Sequence, residues 1–280
     1  MDKKQRFRVT KDSAVLLPEY GITQKEFNEK LVVHPVYNLP TATLSLSAGT
    51  EVECGTALTS AHKFTVGFVS NDSGGFVKPF KVAHSGTEKG STDSGLVVSG
   101  NDLQMLNPFS VTVTDGVLTF TSKVPYSAAP VKKNNINIDD ATGKFAAGTL
   151  TPSCSVTGRR KIFGIVANDT SNTAAPTSAK IRAAWTKATP WSTVGSVDLA
   201  YTAGAKVIGI AVPSTRKISA VSQITAVGTD PSWLDNFVRT SGIKVEGAGG
   251  YASVDYDLYI YTHPTNFGGS GTFRFTVTNA

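Results

Sequence analysis

A few residues in this chain have types and spacings suited to chemistry. Asp255 and Asp257 stand two apart, so on a strand both carboxylates share one face. Such a pair suits general acid–base work or calcium coordination through oxygen. Tyr259 and Tyr261 continue that face, and phenol rings beside carboxylates can grip a sugar by stacking and hydrogen bonding. Arg159, Arg160 and Lys161 form a tight basic cluster, with Lys132 and Lys133 a smaller one. With a formal net charge of +6 they raise the question of phosphate binding. Cys54 and Cys154 supply two thiols.

Each has a plainer reading. No further acidic residue lies near Asp255 and Asp257 in sequence, so they read as solvated strand positions, and the tyrosines beside them as strand surface or a subunit contact. The remaining Lys and Arg are scattered among acids, whereas nucleic-acid binders concentrate charge on one face; the cluster reads as a solvated strand start. The cysteines have no neighbour at zinc spacing and read as reduced, packed thiols, a bridge between them being the alternative. His34, His62, His84 and His263 stand far apart. There is no Gly-x-Ser-x-Gly elbow and no phosphate loop, and Gly247 to Gly250 precedes a strand rather than a helix. The expectation is a protein that is not an enzyme, with no cofactor, no metal and no nucleic-acid partner.

The elements that must position these residues are strands. From Tyr251 to Tyr261, Ala252, Val254, Tyr256, Leu258 and Ile260 alternate with Ser253, Asp255, Asp257, Tyr259 and Tyr261, which predicts one packed and one wet face. Thr272 to Thr278 repeats the pattern with Phe273, Phe275 and Val277, and the Gly268 to Gly271 tip between them predicts an antiparallel hairpin. A composition with only 17% charged residues suits a β protein with a weakly charged surface, and 280 residues suit two domains. No stretch nears the ~18 apolar residues of a membrane span, so no membrane insertion is expected. The basic start lacks a following apolar core, which argues against a secretory signal and for synthesis in the cytosol.

Three segments are predicted. Residues 1–39 form an N-terminal docking arm with short strands at Gln5 to Thr10 and Ala14 to Leu17. A short helix follows from Gln24 to Leu31, with Thr23 and Glu26 as a capping box and Ile22 and Phe27 as a hydrophobic staple. Ile22, Phe27 and Leu31 are candidate particle-docking residues; a cap packed on the first domain is the alternative. Residues 40–152 form a first β-sandwich domain and linker. It has strands at Thr41 to Ala48 and Phe64 to Phe68, and a type I′ hairpin at Asp115-Gly116 that sets Val113 against Leu118 and Val111 against Phe120. From Ser122 to Pro152 the pattern loosens. Residues 153–280 form a second sandwich of seven strands, with Val207 to Val212 central and a helix between Thr177 and Lys187 that presents Ile181, Ala184 and Trp185. Trp185, Trp191 and Trp233 read as core or seam residues. Gly67-Phe-Val-Ser-Asn-Asp-Ser73 and Gly164-Ile-Val-Ala-Asn-Asp-Thr170 echo each other. The fold class is therefore all-β: two antiparallel Ig-like β-sandwich domains in tandem, preceded by an arm with one short helix.

The second region resembles a C-terminal sandwich domain of tailed-bacteriophage virion proteins. The resemblance lies in Arg159-Arg-Lys-Ile-Phe-Gly-Ile165, Pro176-Thr-Ser-Ala179, Ile208-Gly-Ile-Ala-Val-Pro213 and Tyr256-Asp-Leu-Tyr-Ile-Tyr261. The first region is similar to the domain that often precedes it, through Leu44-Ser-Leu46 and Gly49-Thr-Glu-Val-Glu-Cys-Gly-Thr56. Together they cover most of the chain after Pro40. The resemblance implies a non-enzymatic virion structural protein: a fibre, head-fibre, spike or head-decoration subunit, located in the virion. Its implied partners are other virion proteins of the capsid, portal, neck or tail, and itself as a homotrimer. The alternative is a glycan- or receptor-binding module whose contact residues are Asp255, Asp257, Tyr259 and Tyr261, with a host cell-surface glycan as partner.

Overall fold

The computed structural model describes residues 16–17, 22–23, 33–75, 80–85, 87–92, 101–105, 110–135, 137–188 and 191–280. The protein is all-β. Two short strands, β1 (Leu16–Leu17) and β2 (Ile22–Thr23), pair antiparallel. Ile22 is thus a strand residue, and Thr23, expected as a helix cap, lies opposite Leu16. The expected helix with Phe27 and Leu31 lies outside the described residues.

The first β region begins at β3 (Thr41–Leu46), followed by β4 (Glu51–Glu53), β5 (Ala57–Thr59), β6 (Phe64–Val69), β7 (Phe80–His84), β8 (Thr87–Thr92), β9 (Asn101–Met105) and β10 (Ser110–Thr112). The long β11 (Gly116–Tyr126), the small hairpin β12 (Lys132–Lys133) and β13 (Asp139–Asp140), and then β14 (Gly148–Leu150) and β15 (Ser153–Arg159) complete it. The main sheet runs β3-β6-β9-β8-β7-β11-β15-β4, with β14 added on β11; β15 and β4 run parallel. Leu44, Phe64, Val66, Leu118, Phe120 and Val156 fill its core. The alternation expected for β3 and β6 is observed, with Leu44, Leu46, Phe64, Val66 and Phe68 inward.

The Asp115-Gly116 hairpin does not form. Ser110–Thr112 pairs with Ala57–Thr59, and β11 pairs with β15 and β7. Local apolar matching lost to long-range partners: Phe120 lies opposite Cys154, and Leu118 opposite Val156, inside one core. Nor is the stretch after Ser122 a loose linker, since β11 continues through Pro125 against β14.

The hairpin β12–β13 anchors residues 33–40. The Tyr37 hydroxyl donates to the Asp140 carbonyl (2.7 Å) and accepts from the Lys132 amide (2.8 Å). Lys132 Nζ reaches the Val36 carbonyl and the Asp72 carboxylate, and His34 Nδ1 lies 2.7 Å from Asp140 Oδ2. The end of the arm is thus a strap packed on the first β region.

The second region contains β16 (Phe163–Ala167), α1 (Ser178–Ala184), β17 (Gly195–Tyr201), β18 (Val207–Pro213), β19 (Arg216–Thr225), β20 (Gly228–Asp230), β21 (Val238–Val245), β22 (Val254–Thr262) and β23 (Gly271–Asn279). Two four-stranded sheets, β16-β18-β22-β21 and β17-β23-β19-β20, face each other across a core of Leu199, Ile208, Ile210, Tyr259, Phe273 and Phe275. β18 is buried along its whole length, as a central strand should be. Thr177 caps α1, its hydroxyl accepting from the Lys180 amide (3.3 Å). The helix lays Ile181 and Trp185 on the outer face of the first of these sheets, against Phe163, Ile165, Tyr256 and Leu258. Gly209 makes room for it: a Cβ there would meet the Trp185 ring at 3.1 Å and Ile165 at 3.0 Å.

Consecutive strands β22 and β23 belong to opposite sheets, so the expected C-terminal hairpin is replaced by a crossing of the core. Each strand turns rings towards the other, with Tyr261 and Phe273 centroids 6.4 Å apart. Phe273 also meets Tyr201, Trp233, Phe237 and Phe267. Phe273→Ala is expected to destabilise the protein by about 3–5 kcal/mol, read from the urea midpoint. A loss below about 1 kcal/mol would show that this ring cluster is not the centre of the core.

Candidate functional site

The chain leaves the first sheet at Arg159, and the next residue enters a buried polar cluster. Arg160 is 7% exposed. A cation so buried needs a counter-charge and hydrogen-bond acceptors. Asp115 supplies both: Arg160 Nη2 donates to Asp115 Oδ2 at 2.6 Å, and Nε to Oδ1 at 3.1 Å. The remaining Nη1 donates to the Ala252 carbonyl (2.8 Å), and the Tyr251 ring lies beneath the guanidinium at 5.3 Å. The Cys54 thiol donates to Asp115 Oδ1 at 2.7 Å. One carboxylate from the first region thus ties a strand exit, a thiol and a loop of the second region.

A second ion cluster sits alongside. Glu53, 8% exposed, accepts from Arg182 of α1 at 2.5 Å and lies 3.6 Å from Lys161. Arg182 also reaches the Glu246 carbonyl (2.8 Å), and Tyr256 donates its hydroxyl to the Lys161 carbonyl (2.8 Å). Arg159 pairs with Glu51. The basic cluster is therefore not a solvated strand start, because all three cations are ion-paired to acids of the first region.

The backbones meet as closely as the side chains. The Ala248 amide donates to the Cys54 carbonyl (2.7 Å). Gly55 permits that approach: its φ is +92°, and a Cβ would stand 2.1 Å from the Ala248 carbonyl oxygen. A cleft of about 230 Å³ opens on the seam, lined by Asp115, Arg160, Ser192, Ser214, Arg216 and Asp255. Arg160 meets its counter-charge in Asp115, whereas Arg216 donates to neutral acceptors, the Ser192 and Thr215 carbonyls and Asn279.

The chemistry of the seam is that of a lock. Burial, with the hydrogen bond to Asp115, pushes the Cys54 thiol up to about 12, and burial pushes Cys154 up to about 11, so both stay protonated. Both cysteines are free. Among the described residues no group of three or more His, Cys, Asp and Glu side chains could hold a metal ion.

The predicted face of β22 is placed differently from expectation. Asp257 and Tyr259 are 3% and 5% exposed, because their side of the strand faces the core between the sheets while α1 covers the other. Asp257 pairs with Arg239 (2.6 Å) and Asp255 with Lys244 (2.9 Å), so the two carboxylates serve separate cations rather than one site. Tyr261 packs its ring on Trp233, Phe237 and Phe267. This withdraws the sugar-gripping surface expected from the four residues acting together; Tyr261 alone lines a separate cleft beside β21. Of the docking candidates, Ile22 pairs with Leu17 in the short N-terminal ladder. Phe27 and Leu31 lie outside the described residues. Sequence reasoning missed Asp115 as a site residue, since Asp-Gly is a strong turn signal and its partner lies 45 positions away.

Comparison with protein-family models, curated proteins and solved structures returned no match. Among the described residues no helix is long and apolar enough to cross a membrane.

Asp115→Ala is expected to destabilise the protein by about 1–3 kcal/mol at neutral pH, since it strands a buried guanidinium. The effect is kept below that of a fully buried pair because 52% of the Asp115 side chain is exposed. Hydrogen bonds from Arg160 hold the Asp115 carboxyl below its ordinary 3.8. Its contribution is therefore present above pH 3.8 and fades as the pH falls through the lower folded value. Urea midpoints of wild type and variant measured against pH should converge in acid; a constant gap would rule out the ion pair as the cause. Separately, both cysteines should resist alkylation at about pH 8 in the native protein and react on unfolding. Rapid native labelling of Cys54, seen by peptide mass spectrometry, would contradict the seam.

Proposed function

We propose that this chain is a non-enzymatic structural subunit of a tailed-bacteriophage particle: a fibre, spike or head-decoration protein that docks through its N-terminal arm and projects its β regions. The observation that carries this reading is the seam. A projecting subunit must hold its parts in fixed relation under load, and the Asp115–Arg160 and Glu53–Arg182 contacts tie the two β regions through buried charge. The stretches that carry the resemblance to virion proteins supply one partner of each of those contacts: Glu53 lies in Gly49 to Thr56, and Arg160 in Arg159 to Ile165. Tyr256 to Tyr261 and Ile208 to Pro213 are adjacent strands of one sheet. The strap at residues 33–40, tied to β12–β13, gives an arm a firm root from which to reach the particle.

Purified phage particles from a lysate in which the gene is expressed should contain the chain by mass spectrometry and carry antibody label at one location in electron micrographs. Absence of the chain from such particles would remove the reading. Light scattering of the pure protein is expected to give three times the 29.5 kDa of one chain. A monomer at all concentrations would remove the homotrimer.

A further inference from the structure

A second cleft, of about 360 Å³, lies on the other side of the second β region. Its walls are the loop after β16, with Thr170 and Thr173, and the edge of the sheet, with Thr240 on β21 and Thr262 on β22; Asn236 stands at its rim. Val238, Ile260 and Ala174 add aliphatic surface to the lining, and Tyr261 an aromatic ring. No charged side chain lines it. Arg239, between Val238 and Thr240, falls on the opposite face of its strand and ends on Asp257.

Two features separate this cleft from an ordinary surface hollow. Its polar groups are uncommitted: the side chains of Thr170, Asn236, Thr240 and Thr262 make no hydrogen bond among the described residues, and Thr173 donates one, to the Thr170 carbonyl. Its loop wall is also built in advance. Asp169 accepts from the Ser171 amide (2.8 Å) and hydroxyl, the Ala174 amide donates to the Thr170 carbonyl (2.9 Å), Lys180 caps the Ala174 carbonyl, and Trp185 Nε1 donates to the Asn172 carbonyl (3.1 Å). The Thr170 and Thr173 hydroxyls on this preordered loop bind without a further ordering cost.

We infer that this cleft is a subsite for a neutral saccharide. Hydroxyl and amide groups match the alternating donors and acceptors of sugar hydroxyls, and the apolar lining from Ile260, Val238 and Tyr261 suits the C–H face of a pyranose ring. A volume of 360 Å³ is at the small end of ligand sites and fits one or two rings. The uncharged lining gives an acidic sugar no counter-ion for its carboxylate. Single-site affinity is weak, in the millimolar range, and display of several copies raises it by avidity. The inference stands on its own residues and does not depend on where the chain resides.

The test is saturation-transfer NMR of the full chain against neutral disaccharides of glucose, galactose, mannose and N-acetylglucosamine, with sialyllactose as the acidic comparison. At least one neutral sugar should give transfer. Asn236→Ala should weaken it about fivefold, the loss of one hydrogen bond. Thr240→Arg, which fills the cleft from an exposed edge position, should abolish it with an unchanged melting temperature. Transfer to no neutral sugar, transfer to sialyllactose alone, or binding undiminished in both variants would each overturn the inference.

Discussion

The buried guanidinium of Arg160 is the constraint on which the rest of the structure depends. It sits where the chain passes from one β region to the next, and a cation taken out of water must be met by a carboxylate and by acceptors for each remaining N–H. Asp115 supplies the counter-charge and accepts from Nε and Nη2, and the Ala252 carbonyl accepts from Nη1. Asp115 is drawn out of the hairpin its sequence favours, and β10 pairs with β5 instead of β11. The Cys54 thiol shares the same carboxylate. The close approach of the Cys54–Gly55 backbone to Ala248 then follows, made possible by a glycine with φ of +92°.

The second β region solves a different problem. Its first sheet is apolar on both sides, so it needs two covers. The opposite sheet supplies one through Phe273, Phe275 and Val277; α1 supplies the other through Ile181 and Trp185. Polar side chains on β22 are therefore enclosed and must find partners, which Asp257 does in Arg239 and Tyr256 in the Lys161 carbonyl. Tyr256 thereby links the covered sheet to the residue next to Arg160. Core packing and the seam are parts of one arrangement.

The carboxylates and cations at the seam neutralise one another, and both thiols are held protonated. Uncommitted hydrogen-bonding groups gather instead at the threonine-lined cleft beside β21. For the proposed role as a projecting subunit, neutral hydrogen-bonding groups displayed in several copies would gain affinity by avidity.

Much of the secondary structure was legible in the sequence, because alternation in β3, β6 and β23 and the cap of α1 are local signals. So was the central position of β18, whose apolar residues leave no side for water. The partners of those strands were not legible. Val113 against Leu118 is a good apolar match, yet β10 pairs with β5 and β11 with β15; Tyr261 meets Phe273 across a core rather than along a ladder. The exposed face read for Asp257 and Tyr259 was wrong for the same reason: period-2 alternation separates two faces but cannot say that a second sheet covers the polar one. The sequence alone determined an all-β chain and its apolar faces, since these follow from nearest-neighbour geometry. The tertiary structure alone decided the seam, because Arg160 meets Asp115 only once distant strands bring a buried charge and its counter-charge together.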